Sequence, residues 1–111
     1  MGYYSDVALV VNEKVDVSPE TQRIMRLLSF DLAGRSEGCR LWIATTLKWD
    51  DSYPDIDHLV QWLRSLNDED YRFLRIGEDI GDTEDLGSFY DNPFEIGIER
   101  QFCYDALDDT L

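Results

Sequence analysis

Six carboxylates, Glu78, Asp79, Asp82, Glu84, Asp85 and Asp91, crowd one short stretch of this chain. Carboxylates at such density can bind a hard cation through oxygen, serve as an acid–base pair around a metal, or present negative surface to a basic partner. The order Glu78-Asp79-Ile80-Gly81-Asp82-Thr83-Glu84-Asp85 lacks the acid at every second position before a central glycine that a calcium-binding loop uses, so no metal or other cofactor is assigned. A metal-dependent enzyme would need two carboxylates converging on one pocket, with Asp50 and Asp55 or Asp82 and Asp85 as the pairs available. No nucleophile–base motif accompanies either pair, and the chain reads as non-enzymatic. The single histidine, His58, sits in the first turn of a helix and reads as solvated. Cys39 and Cys103 are too few for a disulfide scaffold or a structural zinc site, and read as reduced, half-buried thiols.

Charge narrows the partner. The 111 residues hold 24 acids and 10 bases, a net charge of −14, which repels nucleic acid and anionic lipid alike. Residues 1–77 hold 13 acids and nine bases, whereas residues 78–111 hold 11 acids and only Arg100 as a base. The last third therefore carries most of the imbalance. Glu95 and Glu99, alternating with Phe94, Ile96 and Ile98, would extend the negative surface along a final strand. Phe89 and Tyr90 stand inside the acidic loop, and aromatic side chains are favoured anchors of interfaces. The candidate partner-binding set is thus Glu78, Asp79, Asp82, Glu84, Asp85, Phe89, Tyr90, Asp91, Glu95 and Glu99. The acids at 82, 84 and 85 carry no predicted core contact.

The elements that must position this surface follow from hydrophobic period. Tyr4–Val11 reads as a strand whose unbroken run Val7-Ala8-Leu9-Val10-Val11 predicts burial on both faces. Ser18-Pro19-Glu20 opens a helix that the pattern Ile24, Leu27, Leu28, Leu32 extends to Leu32, with Gly34 as its stop. Arg40–Trp49 reads as a second strand, with Leu41, Ile43, Thr45 and Leu47 on one face and Trp42, Ala44, Thr46 and Lys48 on the other. A turn through Asp50–Pro54 leads to a second helix with Ile56, Leu59, Val60, Leu63 and Leu66 along one stripe. Tyr71–Ile76 is the third strand, Glu78–Asn92 an aperiodic loop, and Pro93 opens the last strand. Residues after Asp105 read as a fraying acidic tail.

The order β-α-β-α-β-β in one domain over residues 1–111 predicts an α/β two-layer sandwich, a mixed four-stranded sheet with two helices on one face. No apolar run approaches the ~18–20 residues needed to span a bilayer, and the first residues lack the basic region of a secretion signal. A cytoplasmic setting is expected.

The opening Met1-Gly2-Tyr3-Tyr4-Ser5-Asp6-Val7-Ala8 and the segment Tyr71-Arg72-Phe73-Leu74-Arg75-Ile76-Gly77-Glu78 resemble small acidic proteins encoded by bacteriophages and prophages. The resemblance covers about a fifth of the chain, carries over no functional residue, and implies a bacterial host cell. Proteins of that size and charge resemble inhibitors of host defence, anti-CRISPR and anti-restriction proteins among them. Charge and resemblance together point to a DNA-mimic-like inhibitor that binds the basic surface of a nucleic-acid-handling protein. An immunity protein or antitoxin that neutralises a nuclease would use the same charge logic.

Overall fold

A computed structural model describes residues 4–50, 52–79, 81–94 and 96. The elements are β1 (Ser5–Val11), α1 (Pro19–Leu27), β2 (Asp31–Ser36), β3 (Cys39–Leu47), α2 (Pro54–Ser65), β4 (Tyr71–Ile76) and β5 (Thr83–Leu86), with a single 3₁₀ turn at Asp68–Asp70. The fold is α/β with both helices packed on one face of the sheet, but the described residues form five strands, not four, and every neighbouring pair among them is antiparallel rather than mixed. Its order is β2-β3-β1-β4-β5. The crossovers β1-α1-β2 and β3-α2-β4 do join strands running in the same direction, yet each pair is separated by one antiparallel strand. This is the split β-α-β connectivity of the ferredoxin-like arrangement, with β5 added beside β4.

β2 was not expected, because α1 stops five residues before Leu32. Leu28 caps the helix and Ser29 turns left-handed at φ 64°, so that Ser29 N–H donates to the Arg26 carbonyl and Phe30 N–H to the Met25 carbonyl at 2.9 Å. That pair of bonds is a Schellman stop, and the buried Met25 and Phe30 close it with an apolar contact. A residue other than glycine in the left-handed position hides the stop from sequence reading. The released chain forms β2 and turns tightly into β3 through Glu37 and Gly38, both at positive φ, as a two-residue hairpin requires.

β1 lies at the centre of the sheet. Val7, Leu9 and Val11 face the helices, where they meet Met25, Leu59 and Leu63 in the core. On α2, Ile56, Leu59 and Leu63 are buried and Val60 half-buried, whereas Asp57, Gln61 and Arg64 are exposed, as the amphipathic stripe predicts. Ser18 caps α1 by accepting the Thr21 N–H. His58 departs from its expected solvated role: it is half-buried, with Nε2 3.3 Å from the hydroxyl of buried Thr21, and so links the two helices. Trp42 and Trp62 both pack against the core.

The strict alternation expected along the second strand fails at its end. Thr46 has φ 55°, the pairing of β1 with β3 slips between Ser5 and Val7, and Leu47 joins the helix-side core beside Trp42 and Ala44. Asp6 accepts the Thr46 N–H at 3.0 Å and holds this bulge. Val10 and Leu74, on the face away from the helices, are nevertheless buried.

The segment expected as the last strand begins differently. Pro93 and Phe94 form a turn, and apart from Ile96 the rest lies outside the described residues, as do Glu95, Glu99 and Cys103. Phe94 lies against Gly34, where its ring occupies the space a side chain at position 34 would need. Residues 87–94 therefore form a strap running from β5 towards β2.

Candidate functional site

Part of the loop expected to be aperiodic is the edge strand β5. Thr83-Glu84-Asp85-Leu86 pairs with Ile76-Arg75-Leu74-Phe73, which aligns Glu84 with Arg75 and Leu86 with Phe73. Leu86 packs against the helix-side core and anchors the strand. The flanking acids are occupied by β4. Arg75 Nε donates to Glu84 at 2.6 Å, its Nη2 to Asp82 at 2.8 Å and its Nη1 to the hydroxyl of buried Ser5 at 2.9 Å. Burial works against the Arg75 charge, but the hydrogen bonds it donates to Asp82 and Glu84, with the attraction of their charges, outweigh it and hold the guanidinium above its ordinary pKa. On the opposite face of the sheet Arg72 grips Asp85 through both carboxylate oxygens. Both arginine side chains are only 11 % exposed.

Asp82, Glu84 and Asp85 are not members of the apolar core, as expected, but their ion pairs to Arg72 and Arg75 make them part of the scaffold, which the sequence reading did not anticipate. Their charge is largely neutralised on the spot. Asp82 and Asp85 also bind different arginines and do not converge as a catalytic pair.

The remaining sequence-selected residues fall into two groups. Glu78 and Asp79 are exposed at the β4–β5 turn, where Glu78 accepts the Tyr4 N–H and the Asp79 carbonyl accepts the Asp82 N–H. Phe89, Tyr90 and Asp91 lie at the other end of β4, because Phe89 N–H donates to the Tyr71 carbonyl at 3.1 Å. The six-residue length of β4, about 20 Å at ~3.3 Å per residue, separates the groups.

The strap end is built for rigidity. Gly87, at φ 81°, passes so close to β4 that a Cβ would stand 2.2 Å from the Tyr71 carbonyl oxygen. Ser88 N–H donates to the Asp68 carbonyl, and buried Asn92 bridges the Phe89 carbonyl and the Phe94 N–H. Tyr90 lies with its ring centroid 4.5 Å from the Arg72 guanidinium carbon, yet is 66 % exposed. Arg72 thus orders Asp85 and Tyr90 together. Beside them a polar cleft of about 690 Å³ runs between the strap, the β2–β3 hairpin and the turn after β1, with Glu13, Glu37 and Asp91 on its walls. Glu13 and Glu37 were not selected from sequence, because only the folded chain brings the turn after β1 and the β2–β3 hairpin beside the strap.

Among the described residues no group of His, Cys, Asp and Glu is arranged to hold a metal ion, and no helix is long and apolar enough to cross a membrane. Comparison of the chain with known protein families, curated proteins and solved structures finds no match.

Proposed function

We propose that the protein is a non-enzymatic inhibitor that binds the basic, nucleic-acid-handling surface of a host defence protein in the bacterial cytoplasm. The observation that carries this reading is Tyr90. A large aromatic ring is 66 % exposed, held by a nearly buried arginine, and placed beside the exposed Asp91 on a chain of net charge −14. An anchor fixed before encounter loses little entropy on binding, and the surrounding charge steers a basic partner towards it. The resemblance to small acidic phage and prophage proteins supports the same setting.

With Asp82, Glu84 and Asp85 committed to arginines, contact falls to Tyr90, Asp91 and the cleft acids, with Glu78 and Asp79 adding long-range attraction. The test is affinity capture of host proteins on the immobilised chain, followed by competition. A partner of this class is displaced by duplex DNA and by moderate salt, because all three compete for one basic surface. Tyr90→Ala speeds its dissociation without slowing association. A partner indifferent to DNA, or one bound equally by Tyr90→Ala and Asp91→Lys variants, would overturn the reading.

A further inference from the structure

Against a strongly acidic background, one cavity is lined, among the described residues, by three arginines and no carboxylate. It lies between the end of α1 and the β2–β3 hairpin, has a volume of about 190 Å³, and presents Arg26, Arg35 and Arg40 around Trp42. Val17, Met25 and Phe30, all buried, form its base, and Leu32, exposed at 42 %, forms an apolar lip.

This arrangement works against sheet stability. Arg35 and Arg40 are directly opposite each other in the β2–β3 register, where like charges destabilise a pair of strands. Every ion pair among the described residues uses Arg23, Arg72 or Arg75. Arg26 and Arg35 make neither an ion pair nor a side-chain hydrogen bond among the described residues, although the chain holds 24 acids. Arg40 is the ordered member: its Nη2 donates to the Val15 carbonyl at 2.6 Å, and its guanidinium lies 5.5 Å from the centroid of the Trp42 ring. Arg26 sits in the last turn of α1, where the helix dipole favours a cation.

We infer that this cavity binds a small organic anion, one with a flat apolar body and a single carboxylate or phosphate head. The dimensions and chemistry select that class. An apolar cavity of about 150 Å³ accepts a benzene ring, so this one takes a single ring and little more. Trp42 and the buried apolar base suit the ring, while guanidinium forks suit the planar carboxylate or phosphate oxygens. The cavity lies on the helix side of the β2 edge, apart from the strap and its acids, so the site is independent of the proposed inhibitory surface.

The test uses the full chain and phenyl phosphate, with benzoate as the carboxylate probe and inorganic phosphate and benzyl alcohol as controls. Calorimetry gives affinity, and the Trp42 indole N–H resonance reports the location. Phenyl phosphate and benzoate should bind saturably and shift that resonance, and both controls should bind at least about tenfold more weakly, each lacking half of the recognition. Arg26→Gln and Arg35→Gln replace exposed side chains, should keep the fold, and should each weaken the anions about tenfold. Arg35→Gln should have an unfolding temperature equal to or above the parent's, because it relieves the pairing with Arg40, and Arg26→Gln one slightly below it. The inference fails if neither aromatic anion shifts Trp42, if inorganic phosphate binds as tightly as phenyl phosphate, or if both folded variants bind like the parent.

Discussion

Arg72 and Asp85 face each other through two parallel hydrogen bonds of 2.6 and 2.9 Å, one from each terminal nitrogen of the guanidinium. The pair ties the edge strand to β4 on the face away from the helices, and the same guanidinium supports Tyr90. Because Asp85 is half-exposed, solvent screens part of its worth, and Asp85→Ala should cost about 1–2 kcal/mol in denaturant unfolding. Exchanging the two charges, Arg72→Asp with Asp85→Arg, should recover part of that loss in a double-mutant cycle. Reversing Asp82, Glu84 and Asp85 to lysine together should detach β5, read as loss of amide protection across Thr83–Leu86.

Gly87 sets the path of the strap. Gly87→Ala would force a methyl group onto the Tyr71 carbonyl while also straining a positive φ. The expected result is a loss of more than about 2 kcal/mol, with faster hydrogen exchange at the Phe89 amide that bonds to Tyr71. Any partner that relies on Tyr90 should lose affinity in parallel.

Thr46 offers a stabilising change. A β-branched residue at φ 55° occupies a conformation that costs about 1–2 kcal/mol for residues with a Cβ, and its side chain is exposed. Thr46→Gly should therefore raise stability by about 0.5–1 kcal/mol in thermal unfolding, after the extra flexibility glycine brings to the unfolded chain.

Leu63 is fully buried between α2 and the sheet. Truncation to alanine should cost about 2–5 kcal/mol by chemical denaturation, the range for emptying a core leucine site.

Tyr71 predicts alkaline sensitivity. Burial, aided by the nearby Asp68 charge, raises its phenol above the ordinary value of 10.0. A raised folded-state value means that the native state holds the proton more tightly than the unfolded chain. The contribution is complete below pH 10 and is lost as pH climbs through the folded-state value. Stability should fall in that window, accompanied by phenolate absorbance, and Tyr71→Phe should flatten the fall.

The strands and helix with strong apolar period were legible from sequence: β1, β3, β4 and α2 lie within a residue or two of where the pattern puts them. Both missed strands are edges with little apolar content. β2 was hidden because Ser29 performs a turn usually given to glycine, and its residues, Asp31-Leu32-Ala33-Gly34-Arg35-Ser36, include no β-branched side chain. β5 has one core side chain, Leu86, and otherwise docks through charge, so hydrophobic period alone could not find it. The usable signal was the pair Arg72 and Arg75 on the preceding strand, spaced to receive the acids that follow. Strand direction across α2 was legible, since β3 and β4 run the same way, but their adjacency was not, because a helix crossover tolerates an intervening strand. Across α1 the expected parallel relation of the first two strands fails, because the hidden β2 turns the chain back and leaves β3 antiparallel to β1. For the candidate site, the aromatic pair in the acidic loop was visible, whereas the neutralisation of three of its acids required the β4–β5 register.

The central position of β1 has a consequence for synthesis on the ribosome. β1 precedes both of its partners in the chain, β3 on one side and β4 on the other, so neither neighbour exists while β1 leaves the exit tunnel. Val11 meets its β3 partner Arg40 first and its β4 partner Tyr71 only later, so at about 5–20 residues per second the β4-side edge of the apolar run Val7–Val11 stays unpaired for several seconds. The nascent chain must keep that run from other strands for this interval, which makes a holding chaperone, or rapid collapse onto α1, part of its route to the native state.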